Sequence, residues 1–285
     1  MRRFLFAAAV AGALAALVTA CGGPVTGPSK PPPPPPPSNN LPVIQSITLQ
    51  GNRPKEPPNF ADVGETIVVT AKVQDDETPV DQLQYQWTAS AGTFTGTGVN
   101  VTWQAPASTA EPVKVTITLK VTEKYGYPGG PQAYEHDVTS AATLSLHDST
   151  TEIGTMSRQF LQDFSDSNID VSTVMRNFQP GCYGTKDETN QVAGNRKDYV
   201  ILESFVGDAR VILGFGTIGP YASQRGDAFA GVPVRWRSRR LKDNVIEDVS
   251  GTDWVAAFYY PDQDRWRLCD SEFQGHLTAA STFIR

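Results

Sequence analysis

Histidine, methionine and cysteine are scarce in this chain, with three of each among 285 residues. The histidines, His136, His147 and His276, are scattered. None falls in a HExxH, paired-His or Ser/His/Asp arrangement, so their spacing calls for neither a metal nor a hydrolytic triad. No glycine-rich turn joins a strand to a helix as a phosphate loop would; Gly214-Phe215-Gly216 with Gly219 is a bent strand leading to Pro220. No cofactor is implied. Long apolar runs are also missing: the longest, Phe4 to Val18, has 15 residues, against the about 20 that a bilayer-spanning helix needs. Positive charge is in short supply, with 24 Lys+Arg against 30 Asp+Glu. That balance suits nucleic acid poorly, because affinity for it comes largely from neutralised phosphates.

What is present begins with Met1-Arg2-Arg3 before the apolar run and a small-residue exit, the three parts of an export signal. The exit, Val18-Thr19-Ala20-Cys21-Gly22-Gly23, resembles the bacterial lipobox. The resemblance implies a diacylglycerol on the Cys21 thiol, removal of residues 1–20 and acylation of the new amino terminus. More than one acyl chain gives stable anchoring, at about 0.8 kcal/mol per buried CH₂. The alternative is an ordinary secretory signal cut after Ala20 with a chance cysteine behind it. Gly22 in place of an aspartate resembles lipoproteins sent to the outer membrane. Loss of Arg2 and Arg3 with the signal would move the formal charge from −6 to −8.

The other two cysteines, Cys182 and Cys269, lie in the last third. Export implies an oxidising compartment, where thiols pair, and a structural disulfide is expected over a reactive thiol or a metal ligand, since neither has a cysteine or histidine nearby. From residue 21 to about 40 the chain is mostly Gly, Pro, Ser and Asn, which cannot bury enough apolar surface to fold. Its seven consecutive prolines, Pro31 to Pro37, predict a polyproline II rod of roughly 20 Å. Such a rod spaces a folded part away from a membrane, or docks into an aromatic groove.

Residues 41–148 alternate in the strand period at 43–49, 66–73, 83–87, 99–103, 113–121 and 142–146, with turns between, which predicts an antiparallel sandwich. The strings Leu83-x-Tyr85-x-Trp87, Val101-x-Trp103-x-Ala105-Pro106 and Val115-x-Ile117-x-Leu119-x-Val121 resemble bacterial Ig-like and PKD-like modules, although the WDFGDG signature of PKD domains is absent. The resemblance implies that Trp87 is the core tryptophan. Lys124 to Asp137 is expected to be a long loop, a place for adhesion or for neutral insertion. Asp75, Asp76, Glu77 and Asp81 form a solvated acidic turn or a Ca²⁺ loop; their spacing matches no fixed code.

Beyond residue 148 the period turns helical at Ile153, Met156, Phe160, Leu161 and Phe164, with Thr150 or Thr151 as N-cap. Shorter helices are expected near 171–178 and 186–196. Strands follow at 199–206, 209–217, 232–241, 254–260 and 265–269, so 149–285 is predicted to be α+β. That order, with Phe160-Leu161-x-x-Phe164, the turn at Phe178 to Gly184 and the pair Ala256–Tyr260 and Trp266–Leu268, resembles the NTF2-like (SnoaL-like) cone, whose members often hold an apolar pocket. Arg235, Arg237 and Arg239, with Arg240 after them, put a basic strip on one strand face. It is either a solvated face paired with acids such as Glu247 and Asp248 or an anion site.

The sequence therefore predicts a lipid-anchored envelope protein that binds a protein or envelope polymer without catalysis. The alternative is a carrier or enzyme using a pocket in the last domain. A titratable residue lining a sizeable apolar cavity would separate the two, and Asp198, Tyr199 and Tyr183 are the first candidates for it.

Overall fold

The computed structural model describes residues 34–220 and 223–281. Residues 1–33, to which the expected export signal, Cys21 and most of the expected tether belong, lie outside the described residues. The described chain is mostly β, with three α-helices and several antiparallel sheets.

Strands β1 (Val43–Gln50), β3 (Thr66–Gln74), β6 (Asn100–Gln104) and β5 (Thr93–Thr95) form one sheet in the order β1-β3-β6-β5. A second, β2-β8-β7-β4, contains β2 (Phe60–Asp62), β4 (Gln84–Ala89), β7 (Val113–Gly126) and β8 (Gln132–His147). The inward phase of each sheet meets the other. Ile67, Val69, Val101 and Trp103 pack on Val115, Ile117, Leu144 and Leu146, all buried. Trp103 is the fully buried tryptophan; Trp87 is half-buried and donates to the Gly98 carbonyl at 2.9 Å. Gly92, with φ +79°, leaves the space in which Trp103 lies, because a Cβ there would meet its indole nitrogen at 2.5 Å.

The expected long loop at 124–137 is corrected. β7 and β8 continue through it as a paired hairpin, with Lys124 opposite Glu135 and Tyr125 opposite Tyr134, and only the tip near Gly129 turns. Ring contact between Tyr125 and Tyr134, 5.6 Å between centroids, is the kind of cross-strand pair that extends a ladder. In the acidic turn, the Asp75 carboxylate accepts the backbone N–H groups of Glu77 and Thr78.

Three helices follow β8. Helix α1 (Ser149–Ser165) is capped by Asp148, whose carboxylate accepts Thr151 N–H, so the cap falls one residue before the helix and not on Thr150 or Thr151. Helix α2 (Val171–Val174) is a single turn, and α3 (Thr185–Asp198) ends where β9 begins. Strands β9 (Tyr199–Val206), β10 (Arg210–Ile218), β11 (Arg225–Arg240), β12 (Ile246–Tyr260) and β13 (Arg265–Ser281) form one antiparallel sheet. β10 and β9 share one edge of β11, pairing with its first and second halves in turn. Strands β11 to β13 are longer than expected because inward residues beyond the apolar stretch are polar, small or aromatic, which blurs the apolar alternation.

The two sets of sheets meet around Phe60 and a polar cluster, with Arg53 also lying 5.1 Å over the Phe215 ring and Lys55 donating to the Gly216 carbonyl. Phe60 of β2 lies in the core of the C-terminal half, against Phe215, Tyr259 and Trp266. His147, fully buried at the end of β8, stacks on Phe60 at 5.1 Å. Its Nδ1 bonds Glu152 Oε1 at 2.9 Å and its Nε2 bonds Asp264 Oδ1 at 3.2 Å. Asp264, in the β12–β13 turn, also accepts from Ser145 and from the Tyr259 hydroxyl at 2.6 Å, and pairs with Lys114 at 2.6 Å. Burial opposes a charge on His147, but hydrogen bonds and charges of Glu152 and Asp264 outweigh it and raise the imidazole above its ordinary value. Burial pushes Asp264 up, and hydrogen bonds from Lys114, Ser145, Tyr259 and His147 more than offset it, holding the carboxyl well below the usual range.

A raised imidazole pKa means the folded chain keeps its proton longer than the unfolded one. The resulting stability is complete below the unfolded value near 6.5 and is lost as pH rises through the folded value. His147→Gln is expected to lose about 2–4 kcal/mol in urea unfolding at pH 6. The gap to the unsubstituted protein should narrow as pH rises towards 9. A gap of constant size would show that folding does not raise the imidazole pKa.

Candidate functional site

The C-terminal sheet presents one face to α1 and α3, and between them lies a cavity of about 480 Å³. The strand period explains which residues line it. On β12 the core residues Val255, Ala257 and Tyr259 face inward, and the same phase carried back gives Asp253, Gly251, Val249 and Glu247. On β11, Val232 and Val234 are core and Trp236 and Ser238 continue their face.

β13 breaks its phase. Trp266 and Leu268 point to the core, yet Ser271, Phe273 and Gly275 line the cavity. The pairing explains it: Ala257 opposes Leu268 and Ala256 opposes Asp270, so Cys269 is one extra residue. A bulge of this kind turns every later side chain to the other face. Phe273 then sits opposite Asp253, and Gly275 opposite Gly251. Gly275 must be glycine, since a Cβ there would lie 2.1 Å from the Phe273 ring.

The helices form the opposite wall. Phe160 and Phe164 come from α1, and Glu188 comes from α3 on the same face as buried Val192, four residues on. Arg196 fastens the two helices. Its terminal nitrogens donate to the carbonyls of Ile169, Asp163 and Asp166, where α1 ends and the chain turns. Cys182 and Cys269 form a disulfide, 5.5 Å between Cα atoms, which ties the turn before α3 to the bulge in β13.

The chemistry concentrates in two carboxyls. Glu188 and Asp253 are each only 5% exposed. The Ser271 hydroxyl donates to Glu188 Oε2 at 3.1 Å. Asp253 Oδ1 has no hydrogen-bond partner, an expensive state for a buried polar atom. Burial pushes Glu188 up to about 8, with the negative charges of Asp253 and Asp270 adding to the rise and Ser271 opposing it. Burial likewise pushes Asp253 up to about 7, against the Ser271 hydrogen bond. Phe160, Phe164, Trp236 and Phe273 supply an aromatic wall, and Gln191, Asn195 and Ser238 add polar groups to the lining. Trp236 spends its N–H on Ser165 Oγ at 2.9 Å, and its ring meets Phe164 at 5.4 Å and Phe273 at 5.6 Å.

Of the residues singled out from sequence, Tyr199 lines the cavity and Asp198 does not. Tyr183 stands outside it, donating to the Arg225 carbonyl and accepting from its N–H, with Asp270 Oδ2 at 3.4 Å. Arg235, Arg237 and Arg239 lie on the opposite face of β11, with Arg235 and Arg239 exposed and Arg237 in register with Asp248 and Glu203. Arg240 is turned away from that strip and pairs with Asp243 at 2.9 Å and Glu247 at 2.8 Å. Sequence reasoning missed Glu188, Asp253 and Ser271. Two of them had a signal: Asp253 keeps the inward phase of Val255 and Ala257, and Glu188 keeps that of Val192. Among the described residues, no group of three or more His, Cys, Asp or Glu side chains converges as a metal site.

Because both carboxyls hold their protons in the fold to higher pH than in the unfolded chain, stability should fall as pH rises from about 4 to 8. The Glu188→Gln/Asp253→Asn protein is expected to match the parent in Tm at pH 4 and to exceed it by several degrees at pH 8, as differential scanning calorimetry would show. Equal values at pH 8 would mean that neither group is held protonated. Sequence comparison adds no relative to this site: no protein family and no curated protein matches the chain.

Proposed function

We propose that this chain is a lipid-anchored envelope protein whose C-terminal half binds a small, largely apolar molecule in the cavity between α1, α3 and the sheet. One observation carries the binding role: a cavity of about 480 Å³ walled by Phe160, Phe164, Trp236 and Phe273 holds a buried, unpartnered carboxylate oxygen on Asp253. Binding pockets have this make-up, with apolar walls and a few convergent polar groups. The sequence criterion of a titratable residue lining an apolar cavity thus favours a small-ligand carrier over a scaffold that recognises only macromolecules. The Ser271 hydroxyl meets the Glu188 carboxyl, but that carboxyl is pushed up to about 8 and so keeps its proton at neutral pH; binding without chemistry is the reading adopted.

The remaining parts of the proposal follow from sequence and shape together. Helices laid on one face of an antiparallel sheet support an NTF2-like C-terminal domain, and two facing sheets before it support an Ig-like module. Anchoring rests on the signal architecture, the lipobox-like Val18-Thr19-Ala20-Cys21 and the proline run behind it. In this arrangement the prolines hold the folded part away from the bilayer, and the Gly22 that follows Cys21 directs the protein to the outer membrane.

Two measurements test the two parts separately. The neutral fluorophore N-phenyl-1-naphthylamine should bind the full-length protein with micromolar affinity, and Val249→Trp, which fills the cavity from β12, should weaken it at least tenfold without lowering Tm. Binding unaffected by Val249→Trp would remove the cavity from consideration. For the anchor, radiolabelled palmitate should enter the protein and be lost in Cys21→Ala; an unlabelled parent protein would sink the lipid reading.

A further inference from the structure

We propose that the ligand of this cavity is an organic cation: a molecule with an apolar body carrying an amine or quaternary ammonium group, which seats between Glu188, Asp253 and the aromatic wall of Trp236 and Phe273. The proposal rests on the binding role assigned to the cavity and names the chemical class of its occupant.

The argument starts from missing positive charge. Two carboxyls lie buried in one cavity, linked through Ser271, and among the described residues no cationic side chain forms an ion pair with them. Arg196 reaches the cavity wall, but its terminal nitrogens are spent on the carbonyls that close α1. Arg240 is held by Asp243 and Glu247. His276 lines the cavity from β13 but is exposed to solvent. Helix α1 and strand β11 contribute no charged group to the lining, β9 contributes Tyr199, β12 adds Glu247, which is paired with Arg240, and Asp270 nearby adds negative charge. A buried acid without a counter-ion stays neutral by keeping its proton, and both carboxyls here are pushed up in that way. Even so, Asp253 Oδ1 is left without a hydrogen bond. A ligand that brings its own positive charge would replace that proton: an amine would donate an N–H to that oxygen, and a quaternary ammonium would offset its charge without a hydrogen bond.

The wall beside them suits such a charge. Phe273 is the cross-strand neighbour of Asp253, and its ring meets that of Trp236, which in turn meets Phe164. Trp236 is pinned through its N–H to Ser165, which fixes the orientation of its π face. Aromatic faces attract cations, ammonium groups included, and more strongly when water is excluded. A neutral apolar molecule would use the same walls but leave the acids as they are. An anionic one would meet two carboxyls with no free cation between them.

The test uses two probes of one shape, benzyltrimethylammonium and its neutral isostere 2,2-dimethylpropylbenzene, each displacing N-phenyl-1-naphthylamine from the full-length Cys21→Ala chain, which keeps lipid out of the assay. At pH 8 the cation should bind at least tenfold more tightly than the isostere. Its affinity should fall by up to about tenfold per pH unit towards pH 5, as protons compete for the carboxyls, while that of the isostere stays level. The Glu188→Gln/Asp253→Asn chain should keep the isostere and lose the preference. If the fluorophore binds but the two probes compete equally, the cavity stands as a binding site and the cation is overturned. A preference that survives in the doubly substituted chain also overturns it, because the carboxyls would then not be its source. If the fluorophore itself fails to bind, the binding role of the cavity falls, and the cation with it.

Discussion

The hydrogen bonds of buried His147 hold the two halves of this protein in register. One imidazole at the end of β8 reaches Glu152 in the first turn of α1 and Asp264 in the β12–β13 turn. It therefore fixes the start of the helix that forms one wall of the cavity and the hairpin that forms another. Phe60 stacks beneath it and continues into the C-terminal core. Trp266 donates to Ser149 at 2.9 Å, and Asp62 accepts Ser149 N–H at 3.1 Å, so the helix start is held from both sides. Breaking one partner of so enclosed a cluster leaves charges buried without compensation, which costs more than the cluster contributes when intact.

A second constraint works at the other end of the cavity. The disulfide joins the turn before α3 to Cys269, and Cys269 is the extra residue in β13. The bulge turns Ser271 and Phe273 inward, and the bridge anchors the helix that brings Glu188 to meet Ser271. A crosslink spanning 87 positions also restricts the unfolded chain, with a contribution of about 4–5 kcal/mol in the chain-entropy model. In this way one covalent bond serves stability and places the polar end of the site.

Glu188 and Asp253 run against this economy. Several neighbouring polar groups are provided for: Trp236 has Ser165, the terminal nitrogens of Arg196 have three carbonyls, and Arg240 has two acids. Two carboxyls buried together, one with an unpaired oxygen, are a destabilising feature that the fold retains. Perturbed groups of this kind gather at functional sites, and here they line a cavity between α1, α3 and the sheet.

Much of this was legible in the order of residues. The alternation of Val113 to Val121 marks β7, the helical spacing from Ile153 to Phe164 marks α1, and Cys182 and Cys269 are the pair expected of an exported chain. The end of β7 and the start of β8 were harder to read, because Gly129, Gly130 and the tyrosines around them suggest a loop until cross-strand ring contacts are known. The cavity was legible only in part. Local periodicity determined that Asp253 and Glu188 share faces with core residues, and extending those phases would have turned both inward. That they meet each other, through Ser271, depends on a bulge at Cys269 that no alternation announces, since a single added residue reverses the phase of β13. Periodicity is a property of each strand or helix by itself, and so the sequence sets it. Which faces are brought together is decided by register and packing between elements far apart in the chain, and only the tertiary structure holds that.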